Sequence, residues 1–175
     1  MGEKYYNDNK SVFSRFSDRI MLDPVSPRSP YPNDVLFDAL NTGSSLICLE
    51  KYTSEKVRQF FPEIINTKQG YARCSVAKLN ENCYITSDTG IAGILRSAGK
   101  NVLEITPGGI SLPGYGYGFI GGAGGILPDG SYLFFGDPLS HPDGKQIISF
   151  AEKNKIKTVA IEGLPLTDCG GIVSV

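Results

Sequence analysis

The sequence predicts an α/β fold assembled from tandem β-β-α-β units, and three observations predict it. The first is internal repetition. Stepping forward 48 residues carries Gly70 onto Gly118, Tyr71 onto Phe119, Leu79 onto Leu127, Tyr84 onto Tyr132 and Ile85 onto Leu133. Further on, a step of 56 carries Ile91, Ile94 and Leu95 onto Ile147, Phe150 and Ala151, and Val102-Leu103-Glu104-Ile105 onto Thr158-Val159-Ala160-Ile161. The second is turn chemistry at matching places, Asn80-Glu81-Asn82 in one copy and Pro128-Asp129-Gly130 in the next, both suited to hairpins. The third is a helical spacing of apolar residues followed by a short apolar run, the pattern of a helix lying over a buried strand.

Taken in order, residues 1–30 read as an irregular, proline-rich arm. Pro24, Pro27, Pro30 and Pro32 fit neither a helix nor a sheet interior. A short helix over 10–22 fits the weak apolar cluster Val12, Phe13, Phe16, Ile20, Met21 and Leu22. The domain proper spans 31–175. Its first unit, about 34–67, shows a third copy at an offset of 38: Leu46-Ile47 falls on Tyr84-Ile85, Val57 on Leu95, Phe60 on Ala98 and Ile64-Ile65 on Val102-Leu103. On that basis Val35–Leu40 is expected to be a strand, followed by a turn at Asn41-Thr42-Gly43 and a strand over Ser45–Leu49. The second unit, about 70–106, has a helix whose face is Ile91, Ile94, Leu95 and Ala98, with Asp88 or Thr89 as N-cap and Gly99 as stop. In the third unit, about 118–162, the helix carries Ile147, Phe150 and Ala151, with Pro142 near its first turn. Residues 171–175 look like the opening strand of a fourth copy.

Apolar residues make up 41% and charged residues 20% of the 175, enough for a core and unlike a disordered chain. A net charge of −1 argues against a nucleic-acid footprint and against a polybasic membrane patch. There is no apolar run of membrane-spanning length and no apolar signal core at the start. Cys48, Cys74, Cys83 and Cys169 make no Cys-x-x-Cys pair, so neither a zinc knuckle nor a disulfide framework is expected, and a cytoplasmic location is the natural reading. One histidine does not assemble a metal site unaided, so no metal and no cofactor are expected.

Tandem units of this length resemble the pentein fold, the five-bladed α/β propeller of the guanidine-group-modifying enzymes. The strings Gln69-Gly70-Tyr71-Ala72-Arg73-Cys74-Ser75, Ile85-Thr86-Ser87-Asp88, Leu112–Ala123 and Pro165–Ile172 are similar to those of an uncharacterised bacterial family assigned that fold. The resemblance covers about residues 31–175. It implies a partial pentein-like propeller: three units and one strand, where a full propeller has five. Such an open arc has raw edges at Val35–Leu40 and Gly171–Val175, and either homo-oligomer formation through them or the arm folding across the gap is expected. One departure is chemical. The deiminase-type enzymes carry Glu-Gly-Gly-Asp where Ile120-Gly121-Gly122-Ala123 stands here, so both guanidinium-binding acids are missing.

The resemblance also implies candidate residues. Cys169 stands about where those enzymes carry their nucleophile, and Cys74 locally resembles their cysteine motif; the competing reading of both is packing. Cys48 and Cys83 read as core. Asp38 falls where the enzymes place a substrate carboxylate, although a solvent-facing strand aspartate accounts for it equally. From the residues themselves, His141 must serve any histidine-dependent step. It lies in Pro138–Gly144, an insertion of the third unit relative to the second, and the alternative there is capping by Ser140 or Asp143 beside an exposed ring. Asp88 and Asp137 share one position in two units, as ligand groups or as caps. Nine glycines lie between Gly108 and Gly125. Gly116–Gly121 matches G-x-G-x-x-G, but it runs into a strand rather than opening a helix, which excludes the dinucleotide reading. Gly121 and Gly122 permit close packing or leave room for a ligand, with Tyr115 and Tyr117 at its mouth. Two functions follow: a small-molecule hydrolase or transferase using a Cys/His pair, or a non-catalytic ligand-binding or structural module that has lost the carboxylates.

Overall fold

The structure, a computed structural model, describes residues 1–174 and is mixed α/β. These residues form two compact units, Met1–Ala72 and Arg73–Ser174.

The first unit opens with helices α1 (Glu3–Asp8) and α2 (Lys10–Phe13), followed by a 3-10 stretch Ser14–Arg19. The helix expected over 10–22 is therefore displaced and divided. Asn9 separates α1 from α2 with a non-helical backbone, its side-chain amide donating to the Tyr5 carbonyl at 2.9 Å, and within 10–22 the α-helix gives way to the 3-10 stretch, whose Phe16 is non-helical. Of the expected apolar cluster, Val12 and Met21 are exposed and Phe13, Phe16, Ile20 and Leu22 half-buried, while the fully buried residues of the segment are Gly2, Tyr6 and Asp23. Asp23 ties the segment together. Its backbone exchanges bonds with Met1 and Glu3 (2.9 and 2.8 Å), one carboxylate oxygen accepts the Val25 N–H at 2.8 Å, and the other accepts the Ser54 hydroxyl. Ser54 in turn caps helix α3 (Glu55–Arg58) by accepting from the Val57 N–H.

The first sheet joins β1 (Leu40–Asn41) antiparallel to β2 (Leu46–Cys48) and β2 parallel to β3 (Ile64–Asn66), with α3 as the crossover. The strand expected over Val35–Leu40 is reduced to its last residue. Val35 to Ala39 instead make local turns, Asp38 N–H to Val35 carbonyl and Ala39 N–H to Phe37 carbonyl. Val35 is fully buried, so its apolar character serves packing rather than a ladder. Asp38 accordingly lies on a turn, not on a strand. Phe60 is 69% exposed: α3 has a single turn, too short to carry the expected apolar face that far.

The second unit contains two further sheets of the same order. β4 (Val76–Lys78), β5 (Cys83–Thr86) and β6 (Asn101–Glu104) form one; β7 (Gly124–Ile126), β8 (Tyr132–Phe134) and β9 (Thr158–Ala160) form the other. In each, the first pairing is antiparallel and the second parallel. The parallel pairing requires a crossover, supplied by α4 (Thr89–Ser97) and α5 (Gly144–Lys153). Leu46, Tyr84 and Tyr132 occupy one register position, opposite Ile64, Val102 and Thr158. The turns are built as their residues dictate. Asn80 accepts from the Asn82 and Cys83 N–H groups, and Asp129 from that of Ser131. Ile85, Ile105, Ile120, Phe134, Ile147 and Leu166 belong to one buried cluster. Ile91 and Leu95 are buried on α4, while Ala98 is exposed, because the helix has ended by then.

Both helices end in the same way. After α4, Gly99 (φ +74°) donates to the Arg96 carbonyl and Lys100 to that of Leu95; after α5, Lys155 (φ +58°) donates to that of Glu152 and Ile156 to that of Ala151. This double bond satisfies the last carbonyls and needs a left-handed residue, a conformation that glycine adopts freely and lysine does not.

The strand expected at 171–175 does not form over 171–174, and Val175 lies outside the described residues. Gly170 and Gly171 have φ +88° and +96°, which turns the chain out of the extended conformation. The segment still follows the third sheet: Gly171 and Ile172 donate to the carbonyls of Gly122 and Gly124.

Two outcomes follow. Lys155→Gly should raise the stability by about 1 kcal/mol, read as a higher thermal midpoint, whereas Gly99→Lys should lower it by a similar amount. Asp23 is held below the ordinary carboxylate range chiefly by the Ser54 hydroxyl, against the opposing effect of burial. A depressed folded pKa contributes stability above the unfolded value near 4 and loses it as the pH falls through the folded value. Urea midpoints of the wild type should therefore fall on acidification below pH 4 more steeply than those of Asp23→Asn.

Candidate functional site

The 3-10 turn Ile120–Ala123 of the second unit, whose four residues are buried, packs against β4, β5 and β7. Gly121 donates to the Cys74 carbonyl at 2.8 Å and accepts from an Arg73 guanidinium nitrogen at 2.6 Å. The Gly122 carbonyl accepts the N–H groups of Cys169 (3.0 Å) and Gly171 (2.9 Å), and the Cys169 thiol lies 3.5 Å from the same oxygen. Thus the chain around Arg73-Cys74 and the chain around Cys169 are joined through two successive glycines.

The absence of side chains at those glycines is required. A Cβ on Gly121 would collide with the backbone carbonyls of Val76, Arg73 and Cys74; one on Gly122 would strike the Asp168 carboxylate. Asp168 also fills the space above Gly118. One of its oxygens accepts the Phe119 N–H at 2.8 Å, the other the Gly170 N–H at 2.9 Å. Both oxygens therefore help position the glycine-rich turn and the C-terminal chain.

Tyr132 closes the floor. It is 1% exposed, meets Phe134 edge-to-face at 4.9 Å, and its hydroxyl lies against Gly124. Burial pushes its phenol up, opposed by the nearby Arg73 guanidinium. Tyr115 and Tyr117 are exposed at 76% and 53% on the loop leading into Gly118.

The remaining candidates lie elsewhere or serve as caps. Asp88 accepts the Ile91 N–H of α4, and Asp137 the Leu139 N–H of the 3-10 turn Pro138–Ser140. His141 is buried rather than exposed. Its Nδ1 accepts the Asp143 N–H at 3.0 Å, which leaves the neutral ring its proton on Nε2, and the ring packs on Gly109. Its Nε2 has no partner among the described residues. Asp143 accepts the Thr106 N–H, which lowers its pKa. No hydrogen bond joins His141 to a cysteine among the described residues. Cys48 and Cys83 are buried, and burial raises both thiol pKa values. In the first unit, Tyr71 donates to Asp34 at 2.6 Å, which pushes its phenol up to about 12; Asp38 stands among the charges around it. No group of three or more potential metal ligands occurs among the described residues, and none of their helices is long and apolar enough to cross a membrane.

Arg73, Asp168 and Tyr132 escaped sequence reasoning as site residues. For Asp168, the signal was present in the spacing of Gly118 and Gly122, but it reads only once the C-terminal chain is known to cross them.

A family model, described as a family of unknown function (DUF6873), matches residues 1–173. The chain belongs to this family. Its extent takes in the first 30 residues together with all three sheets and the C-terminal chain over Gly122, so the DUF6873 match includes every residue of the site. No curated protein matches the chain, and no solved structure does.

The glycines predict two different responses. Gly122→Ala should cost about 3 kcal/mol, as a buried steric clash that displaces two charge-assisted bonds. Part of that loss should return in Gly122→Ala/Asp168→Gly, because the colliding group is then gone. Gly121→Ala should destabilise at least as much and should not be rescued by any change at Asp168, since its collisions are with backbone. Chemical denaturation of these three variants and of Gly121→Ala/Asp168→Gly checks both statements.

Proposed function

We propose that this chain is a ligand-binding module of pentein-like architecture, with its three sheets as copies of one repeat and its binding site on the Gly121–Gly122 turn. Arg73, Cys74 and Cys169 border that site, the buried Tyr132 ring lies beneath it, and Tyr115 and Tyr117 offer aromatic faces at its rim. The ligand class that suits it is a small polar molecule with a planar group that stacks on tyrosine.

The observation that carries this reading is the disposition of His141. Thiol hydrolysis requires a base within hydrogen-bond reach of the nucleophile or of one intervening water. The acceptor nitrogen of His141 is already committed to the Asp143 N–H, and the ring is buried against Gly109. Asp168, the carboxylate beside Cys169, accepts two backbone N–H groups and holds the chain rather than a histidine. The architecture is supported by the shared strand order and register of the three sheets, and the loss of guanidinium chemistry by Ile120 and Ala123 at the places of the two acids.

The competing reading, a thiol hydrolase or transferase, draws on the exposure of Cys169. Iodoacetamide alkylation followed by peptide mass mapping separates the two. Cys169 should be modified first, and at a rate that His141→Ala leaves unchanged. A rate that falls severalfold in His141→Ala, with the fold intact by circular dichroism, would overturn the binding-module reading in favour of the enzyme.

A further inference from the structure

A second concave surface lies on the helical side of the second unit, and it uses none of the residues of the glycine turn. It is a groove of about 340 Å³ between β6 and α5, lined by Leu103, Lys145, Gln146, Ser149, Phe150 and Lys153. Leu103 and Phe150 form its floor. Both are half-buried and pack on the central cluster beneath, so the floor is fixed by the core.

The rim is charged on one side only. Lys145 and Lys153 are exposed and eight residues apart on α5, about 12 Å along the axis at 1.5 Å per residue. Neither forms an ion pair among the described residues. The acids nearest in sequence are engaged or directed elsewhere. Glu104 pairs with Arg96, and Asp143 accepts from the Thr106 N–H and the Gln146 amide. Glu152 is exposed on α5, three residues after Ser149, and does not line the groove.

We infer that the groove between β6 and α5 docks an acidic segment of a partner protein, with one apolar side chain on Phe150 and Leu103 and a carboxylate at each lysine. An extended peptide covers about 13 Å in four residues, so carboxylates four positions apart with an apolar residue midway match both ammonium groups at once. Charge complementarity of this kind sets orientation and on-rate, while the apolar residue supplies the retention.

The probe is a fluorescein-labelled peptide of sequence Glu-Ser-Leu-Ser-Glu with blocked ends, titrated against the full chain by fluorescence anisotropy at low salt. Saturable binding is expected, at least tenfold weaker for Lys145→Glu/Lys153→Glu and for the peptide with glutamine at both ends, and weaker as salt is added. Both lysines are exposed and form no ion pair among the described residues, so the double variant should retain the wild-type circular dichroism; Ser149→Glu, which places a charge midway along the groove, should weaken binding by a second route. Absence of saturable binding at millimolar peptide, or equal binding by wild type and double variant, would overturn the inference. Self-association of the wild type in light scattering that the double variant abolishes would also overturn it, making a second copy the occupant.

Discussion

The second unit depends on a carboxylate that occupies the volume of two missing side chains. Asp168 stands over Gly118 and Gly122 and receives one N–H from each side, Phe119 from the turn and Gly170 from the C-terminal chain. Charge-assisted bonds of this kind are stronger than neutral ones, and their geometry fixes which chain lies against which. With Asp168 in place, the Gly122 carbonyl meets Cys169 and Gly171, and the Arg73 guanidinium donates to the Gly121 carbonyl. Larger residues at either glycine would separate these chains, and the Arg73 guanidinium, which bonds the Gly121 carbonyl, also lies against Gly171 of the C-terminal chain.

Much of the fold was legible because its signals are local. Hairpin turns announce themselves through Asn80 and Asp129, whose side chains fold back on the following N–H groups. The stop at Gly99 is a backbone requirement written as a glycine. The offsets of 48 and 56 carry Tyr84 and Val102, which are paired, onto Tyr132 and Thr158, which are also paired. Where the reading failed, packing had replaced pairing. Val35 is apolar because it is buried, and the chain around it satisfies its backbone in turns. Phe60 sits where a longer helix would have buried it. At the other end, Gly170 and Gly171 are glycines because the backbone is left-handed there, not because a strand begins.

The site was legible in its cysteines and glycines but not in its organisation. Sequence placed Cys74, Cys169, Gly121 and Gly122 on one list, and the structure brings their backbones together. It could not show that Asp168 would be the group accommodated by the glycines, because that depends on a contact between residues some fifty positions apart. His141 stood out as the only histidine of the chain, yet rarity is a property of composition, whereas the direction of a ring nitrogen is decided by the nearest N–H. The caps at Asp88 and Asp137 illustrate the same limit: a shared position in two units records a shared backbone need before it records a shared ligand.

The route taken by the C-terminal chain has a kinetic meaning. Within each sheet, every strand pairs with a neighbour from the same stretch of sequence, so each three-stranded layer closes small loops and loses little chain entropy in doing so. The segment from Leu164 to Ile172 is different. It bonds to Ser111, Phe135, Gly122 and Gly124, partners far from it in sequence. Contacts of that separation form slowly relative to local ones. The layers can therefore assemble in the order of synthesis, while the glycine turn waits for the last residues to arrive, and a chain halted before Asp168 would possess its three sheets without possessing its site.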